Sequence, residues 1–353
     1  MTIRDLDILS AKAVVIGSGC AGLNAADWLV SLGEKDVLLI TDGMKRGTSR
    51  NAGSDKQTYY KLSLAGGAPD SVLDMANDLI GEGVNGDTAL AEAAGSAQAF
   101  LRLVQLGVPF PTNEYGEFIG YQTDHDERGR ATSAGPLTSK LMTEALEREV
   151  VAKGVRVLEP VVAFHILKQN GRAAGVLAFD IAANRLKLVL AANIIAATGG
   201  PAVQLYRDHG IDLETELLEV RVCAQHHNGG AAVDSHWQTT LPGLYCAGEA
   251  AGSFGAYRPG GSALNATQVG SMRAAQHIVF ETQRSIPELS DDLLAQAEEA
   301  LDAVSLAGNP ALLGCEMRRE MSCAGAHMRD LSALDSLDKR LAALLGSRGS
   351  CTD

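Results

Sequence analysis

Gly17, Gly19 and Gly22 stand as G-x-G-x-x-G between a short apolar run, Lys12 to Ile16, and an alanine-rich run that continues to Leu32. That spacing builds a site for the pyrophosphate of a dinucleotide. Gly17 allows the tight turn, Gly19 lets the backbone approach the phosphates, and Gly22 lets the following helix pack close to the strand. Cys20 and Ala21 complete the turn, and the first N–H groups of the helix offer donors and a positive dipole end to the anion. A ribose-binding acid is expected about 20 residues further on. The next apolar run, Val37 to Ile40, ends in Thr41-Asp42, where either residue could meet the ribose and Asp42 could equally belong to a turn.

Two polar stretches lie within reach of such a site. Thr48-Ser49-Arg50-Asn51-Ala52-Gly53-Ser54-Asp55 is too small and polar for a core element and reads as a loop along the cofactor. Thr123 to Arg130 mixes both charge signs and reads as a solvated loop, or as one that brings His125, Arg128 or Arg130 to an anionic ligand.

The elements that position these groups follow in a definite order. A strand, helix and strand come first, then helices over Asp70 to Gly83 and Asp87 to Gly107, the second with Ala93, Ala97, Phe100, Leu101 and Val104 at helical spacing. Thr138 to Gly154 is a further amphipathic helix. From Val155 the period falls to two, giving short strands at Val155 to Leu158, Val161 to Lys168, Ala173 to Asp180 and Arg185 to Leu190, with Asn170-Gly171 as a hairpin turn. A separate strand, Asn193 to Thr198, returns to the parallel sheet. The expected fold is α/β: a Rossmann-like parallel sheet with an antiparallel β-meander and a C-terminal helical segment. That order favours FAD folds over nicotinamide dehydrogenases.

A chain of 353 residues, 46% hydrophobic and 21% charged, has room for two domains and reads as globular and soluble. Its formal charge of −13 argues against nucleic acid or an anionic membrane as partner. The six cysteines, at 20, 223, 246, 315, 323 and 351, show no C-x-x-C spacing, so neither a structural zinc nor an iron–sulfur cluster is expected, and no metal. Met1 to Ser10 is polar and no apolar run reaches the length of a membrane span, which predicts a cytoplasmic location.

Ile194-Ile195-Ala196-Ala197-Thr198-Gly199-Gly200 ends in A-T-G-G, and Pro242-Gly243-Leu244-Tyr245-Cys246-Ala247-Gly248-Glu249 ends in A-G-E. With the glycine turn, and with Arg258-Pro259-Gly260-Gly261-Ser262-Ala263-Leu264-Asn265 as R-x-G-x-x-x-L, they resemble the fumarate reductase and succinate dehydrogenase flavoprotein family, which includes L-aspartate oxidase. The resemblance spans Lys12 to Gln283. It implies FAD as cofactor, with contacts from Gly17 to Gly22, Thr41 or Asp42, Thr48, Ser49, Asn51, Gly53, Ser54, Val162, Thr198, Gly199 and Gly248. It further implies that Glu249 accepts bonds from ribityl hydroxyls and that Ser262, Ala263 and Leu264 present the first turn of a helix to the flavin ring. Arg258 would bind a substrate carboxylate, for which a guanidinium fork is suited.

Three departures accompany the resemblance. The first histidine of the chain is His125, so the histidyl linkage that membrane-bound members make near Thr48 to Ser54 has no residue here, and FAD is expected to be noncovalent. The family's H-x-x-x-G-G pattern counts back from Gly229 to Gln225, so either Gln225 substitutes or His226 serves. Where the family inserts a capping domain with a proton-donating arginine, this chain has twenty residues, Pro201 to Val220, with Arg207 its one arginine.

The expected domains are a discontinuous FAD-binding domain, 1–200 with 221–284, a short connection, 201–220, a helical segment, 285–346, and a disordered tail, 347–353. The implied activity is hydride transfer between flavin N5 and an unsaturated or saturated carboxylate, with Arg258 and Gln225 or His226 in the substrate site. Implied partners are a small carboxylate and an electron-donor protein or second subunit. The alternative is an FAD-binding or electron-transfer scaffold without a closed substrate site.

Overall fold

The computed structural model describes residues 6–51, 57–65, 69–80, 84–198, 229–255 and 257–305, with Ser332, Leu334 to Ser336 and Lys339 beyond them. The chain divides into two compact units, Met1–Ile211 with Asn228–Leu289, and Asp212–His227 with Ser290–Asp353.

In the first unit β1 (Asp7–Ile16), α1 (Cys20–Ser31) and β2 (Val37–Ile40) form the expected opening, followed by the short α2 (Thr48–Asn51), β3 (Tyr59–Tyr60), α3 (Val72–Leu79) and α4 (Gly86–Gln105). Then come β4 (Ala131–Thr132), α5 (Thr138–Ala152), β5 (Arg156–Leu158), β6 (Val161–Gln169), β7 (Arg172–Asp180), β8 (Arg185–Ala196), β9 (Leu244–Cys246) and α6 (Ser262–Phe280). The main sheet has the order β5-β2-β1-β8-β7-β6, with β9 also against β8, and β3 pairs with β4 separately.

From Ala13 to Ile16 strand β1 is buried on both faces, which accounts for the unbroken apolar run there. Ala13 and Val15 enter one core cluster with the residues of α1, α4, α5 and α6. Val14 and Ile16 point the other way, into a cluster with Val161, Val176 and Ala178 of the meander, which Ala11 also joins.

The two strands expected at Arg185 to Leu190 and from Asn193 are one. Ala191 pairs with Ala11 of β1, and no glycine or proline interrupts the run, so β8 continues through twelve residues. Its first half runs antiparallel to β7 and its end, Ile194 to Ala196, parallel to β9. Asn170 and Gly171, with φ of 53° and 71°, make the β6–β7 turn that their types predict.

The run expected as a loop from Thr48 turns helical over Thr48–Asn51, because Arg50 is drawn into a buried pairing with Glu144 and Glu147 of α5. In α4, capped by the Asn85 side chain on the Asp87 N–H at 2.8 Å, the buried face differs from the expected one. It keeps the expected Ala93 and Phe100 but adds Thr88, Ala89, Glu92, Ser96, Ala99 and Leu103, while Leu101 is 40% exposed. Gly95 lets α4 approach α6 closely, since a Cβ there would lie 2.8 Å from Val269.

In the second unit α7 (Asp291–Ser305) opens on the Ser290 hydroxyl, which accepts from the Leu293 N–H at 3.3 Å, with Asp291 and Asp292 in the first turn. The helix expected at Pro310 to Met328 lies outside the described residues. Of Ser332 to Leu345, the described residues are helical.

Candidate functional site

The glycine turn has the geometry its spacing requires. Gly17 sits at φ +106°, where a Cβ would lie 2.5 Å from the Ala197 carbonyl oxygen, and a Cβ on Gly22 would overlap the Gly17 carbonyl. The Gly17 N–H donates to Ile40 O at 2.8 Å, which ties the turn to β2. Helix α1 begins on Gly19 with no side-chain cap, and the one atom near a Cβ there would be Ser49 Oγ, at 3.4 Å. Ser49 Oγ also accepts from the Cys20 N–H at 3.2 Å, so α2 stands against the open end of α1. A helix N-terminus whose N-cap residue has no side chain, beside a turn that only glycine can make, fits an anionic diphosphate.

At the end of β2 the two candidate residues separate. Thr41 is buried, its hydroxyl bonded to Ser18 Oγ at 2.8 Å and accepting from the Gly43 N–H at 3.1 Å. Asp42 is exposed and, among the described residues, makes one long ion pair, with Arg46 at 3.5 Å, so its carboxylate is the better placed to accept from a ribose. The Val161 N–H donates to Thr41 O at 2.8 Å, which brings Val162, 39% exposed, beside that strand end. Gly248, at φ +68°, closes the other side, since a Cβ would lie 2.8 Å from the Ala21 methyl. Glu249 follows it in a single 3-10 turn and is half-buried rather than buried. Thr198 is exposed at the end of β8. Thr48 is half-buried, while Asn51 is exposed and bonded to Gly47 O at 2.9 Å.

The first turn of α6 forms a second cluster. The Ser262 and Leu264 N–H groups donate to Pro259 O at 3.2 Å and Gly261 O at 3.3 Å, so each would reach a flavin only as a shared donor. Ala263 lies between them. Arg258 is half-buried, its guanidinium 5.7 Å from the centre of the Phe254 ring and 3.5 Å from Ser262 Oγ. Burial lowers its pKa, opposed by the charge of Glu92. Glu92 itself, on α4, is a residue that no sequence motif marked. It is buried and accepts from Asn265 Nδ2 at 3.1 Å, and burial pushes its pKa up to about 8 against the Asn265 bond and Arg258.

The mixed-charge loop divides its roles. Arg130 is fully buried and bonded to Asp70, Asp78 and Tyr60, and Arg128 to Pro69 O and Asp74, so both are structural. His125 lies against Tyr257, the residue before Arg258, with ring centroids 4.0 Å apart and the planes tilted by 41°. Gly53, Ser54, Gly199, Gln225 and His226 lie outside the described residues. Cys20 and Cys246 are buried free thiols, both with pKa values raised by burial. Among the described residues His236, His277 and Glu281 come within 4.8 Å of one another, a set the cysteine and histidine spacing did not reveal. The Arg273 guanidinium, 3.2 Å from His236 Nδ1, opposes a cation there.

A family model described as an FAD binding domain matches residues 12–219 and 207–264, more than half of the chain. The chain belongs to this FAD-binding family. Relatives of this FAD-binding chain include a fumarate reductase (CoM/CoB) subunit of Methanothermobacter marburgensis, 31% identical over 149 residues, covering 41% of this chain and 27% of that protein. The 8-methylmenaquinol:fumarate reductase flavoprotein subunit of Wolinella succinogenes is 27% identical over 216 residues, covering 57% of this chain and 33% of that protein. The matched region thus spans a third or less of the length of these relatives. Among solved structures, Mycobacterium smegmatis Sdh1 superimposes with a TM-score of 0.78 at 16% identity, covering 97% of this chain and 81% of that one. Escherichia coli quinol fumarate reductase FrdA gives 0.76 at 15% identity, covering 99% of this chain and 84% of that one. These similarities show the shared fold. Among the described residues no helix is long and apolar enough to cross a membrane.

Proposed function

We propose that this FAD-binding chain is an oxidoreductase of the fumarate reductase type acting on a small carboxylate, with FAD held noncovalently. The observation that carries the reading is Arg258, a half-buried guanidinium beside the first turn of α6, in a chain whose glycine turn opens α1 on the side-chain-free Gly19. The relatives named fumarate reductase and L-aspartate oxidase support it. Bound FAD would supply two-electron chemistry at a carbon–carbon bond. The chain's own residues do the rest. The α1 N-terminus and Gly19 receive the diphosphate, Asp42 accepts from the ribose, and Glu249 accepts from the ribityl chain. Arg258 orients a carboxylate, its charge strengthened by a partly dehydrated setting. Gln225 or His226 polarises the same substrate. A second subunit or electron-donor protein and a cytoplasmic location belong to the same proposal.

The purified protein is reduced anaerobically with dithionite and mixed with fumarate and other short enoates while the flavin absorption is followed. Return of the oxidised bands is the expected result, slowed at least about 100-fold in Arg258→Gln with the flavin spectrum retained. Bound FAD that no enoate reoxidises would favour the scaffold lacking a substrate site. A colourless protein that takes up no added FAD removes the reading altogether.

A further inference from the structure

Among the described residues, Glu92 is the one buried carboxyl that stands directly behind the proposed flavin cluster. It is 3% exposed and its Oε1 accepts from Asn265, three residues past Ser262 in α6. Hydrogen-bond accounting favours its acid form. An ionised carboxylate offers about four acceptor sites and no donor, yet Asn265 Oδ1, on the same amide that bonds Glu92, is buried without a partner among the described residues. The acid's O–H is the donor that an orphaned acceptor at this junction lacks.

The groups that face Glu92 can be named element by element. Asn265 comes from α6, Arg258 from the segment before it, and Tyr59 from β3, whose phenol is raised by burial first and by Glu92 second. Cys20 of α1 acts on Tyr59 as well. The acids Asp74 and Asp78 of α3 are taken up by Arg128 and Arg130, and Glu149 of α5 pairs with Arg102 in the last turn of α4. Arg258 is the cation whose charge acts on Glu92, while the buried Lys61, its Nζ 5.0 Å from the centre of the Phe100 ring of α4, is a second cation against this helix, with a pKa lowered by burial to about 8. Burial brings Glu92 to about 8 as well, where a single added charge can change its state.

We propose that Glu92 is the proton acceptor coupled to the redox state of the cofactor. It gains one proton from solvent when two electrons, from dithionite or another low-potential donor, and one proton enter the flavin, and so offsets the negative charge left on the ring. The proposal rests on the FAD reading above and extends it. The sign follows from like-charge repulsion. A negative ring raises the Glu92 pKa further, so above pH 8 each reduction takes up one proton more than the flavin alone requires.

The test is the midpoint potential of the flavin-loaded protein between pH 6 and 10, by dithionite titration with mediator dyes. Wild type is expected to show a steeper fall with pH beginning near 8, and Glu92→Gln, which keeps the Asn265 bond, is expected to follow one slope through that range. Glu92→Asp should restore a bend. Identical profiles for wild type and Glu92→Gln, with or without a bend, overturn the proposal while leaving FAD binding intact. Should Glu92→Gln fail to fold, redox-difference infrared spectra of wild type decide. A protonated-carboxyl C=O band that grows on reduction above pH 8 supports Glu92, and no such band overturns it. Absence of bound flavin in wild type removes both this inference and the reading beneath it.

Discussion

At the scale of the single residue, Glu92 links stability to pH. Its ordinary value of 4.5 rises to about 8 in the fold. Between those limits the unfolded chain is ionised and the folded chain is not, so the stabilisation tied to this group is complete below 4.5 and is lost as pH rises through 8. Glu92→Gln has no such dependence. Its urea midpoint, compared with wild type at pH 5 and pH 9, should gain on wild type by the equivalent of a few kcal/mol; parallel curves would mean that Glu92 ionises normally. This residue was hidden in the sequence because the alanines around it fill several faces of the helical wheel equally well, and an acid among them suggests the solvated side. The choice between Thr41 and Asp42 was hidden for a different reason. Two adjacent polar residues at a strand end differ only in where they point, and of the bonds that occupy Thr41 the one with Ser18 comes from another segment while that from Gly43 is local.

At the scale of the element, the glycine turn was legible because steric demands write themselves into residue type. The strand, turn and helix at Lys12 to Leu32 and the Asn170-Gly171 hairpin needed no tertiary information. The merging of two expected strands into β8 did need it, since the continuity of Leu190 to Asn193 comes from pairing along β1. Arg50 likewise converts an expected loop into α2 through acids on α5, about a hundred positions away in the sequence, a partner that no local pattern announces. The close fit of α1 to the turn predicts that Gly22→Ala, whose methyl would overlap the Gly17 carbonyl, destabilises the unit by about 1–3 kcal/mol and abolishes FAD retention on gel filtration. A variant that keeps its flavin would show that the turn relaxes without loss of the anion site.

At the scale of the whole molecule, a formal charge of −13 surrounds a proposed site for anions. Long-range repulsion should then slow the approach of a dicarboxylate at low salt, with a screening length of about 10 Å at 0.1 M. The association rate of malonate with the flavin-loaded protein, followed by stopped-flow absorption, should rise as salt is added from a few millimolar. A falling rate would mean that the local field of Arg258 outweighs the net charge. The long shared strand β8 carries a different consequence, one that concerns synthesis. Asp7 of β1 and Lys187 of β8 are joined across 180 positions, so during translation β1 and β2 leave the ribosome long before the strand that completes their sheet exists. Until then the free edge of β1 is a template for any extended chain nearby. The β6–β7–β8 hairpins, being local, can form as they emerge and deliver β8 with its register already set, so nascent chains stalled short of residue 196 should be the species most in need of a chaperone.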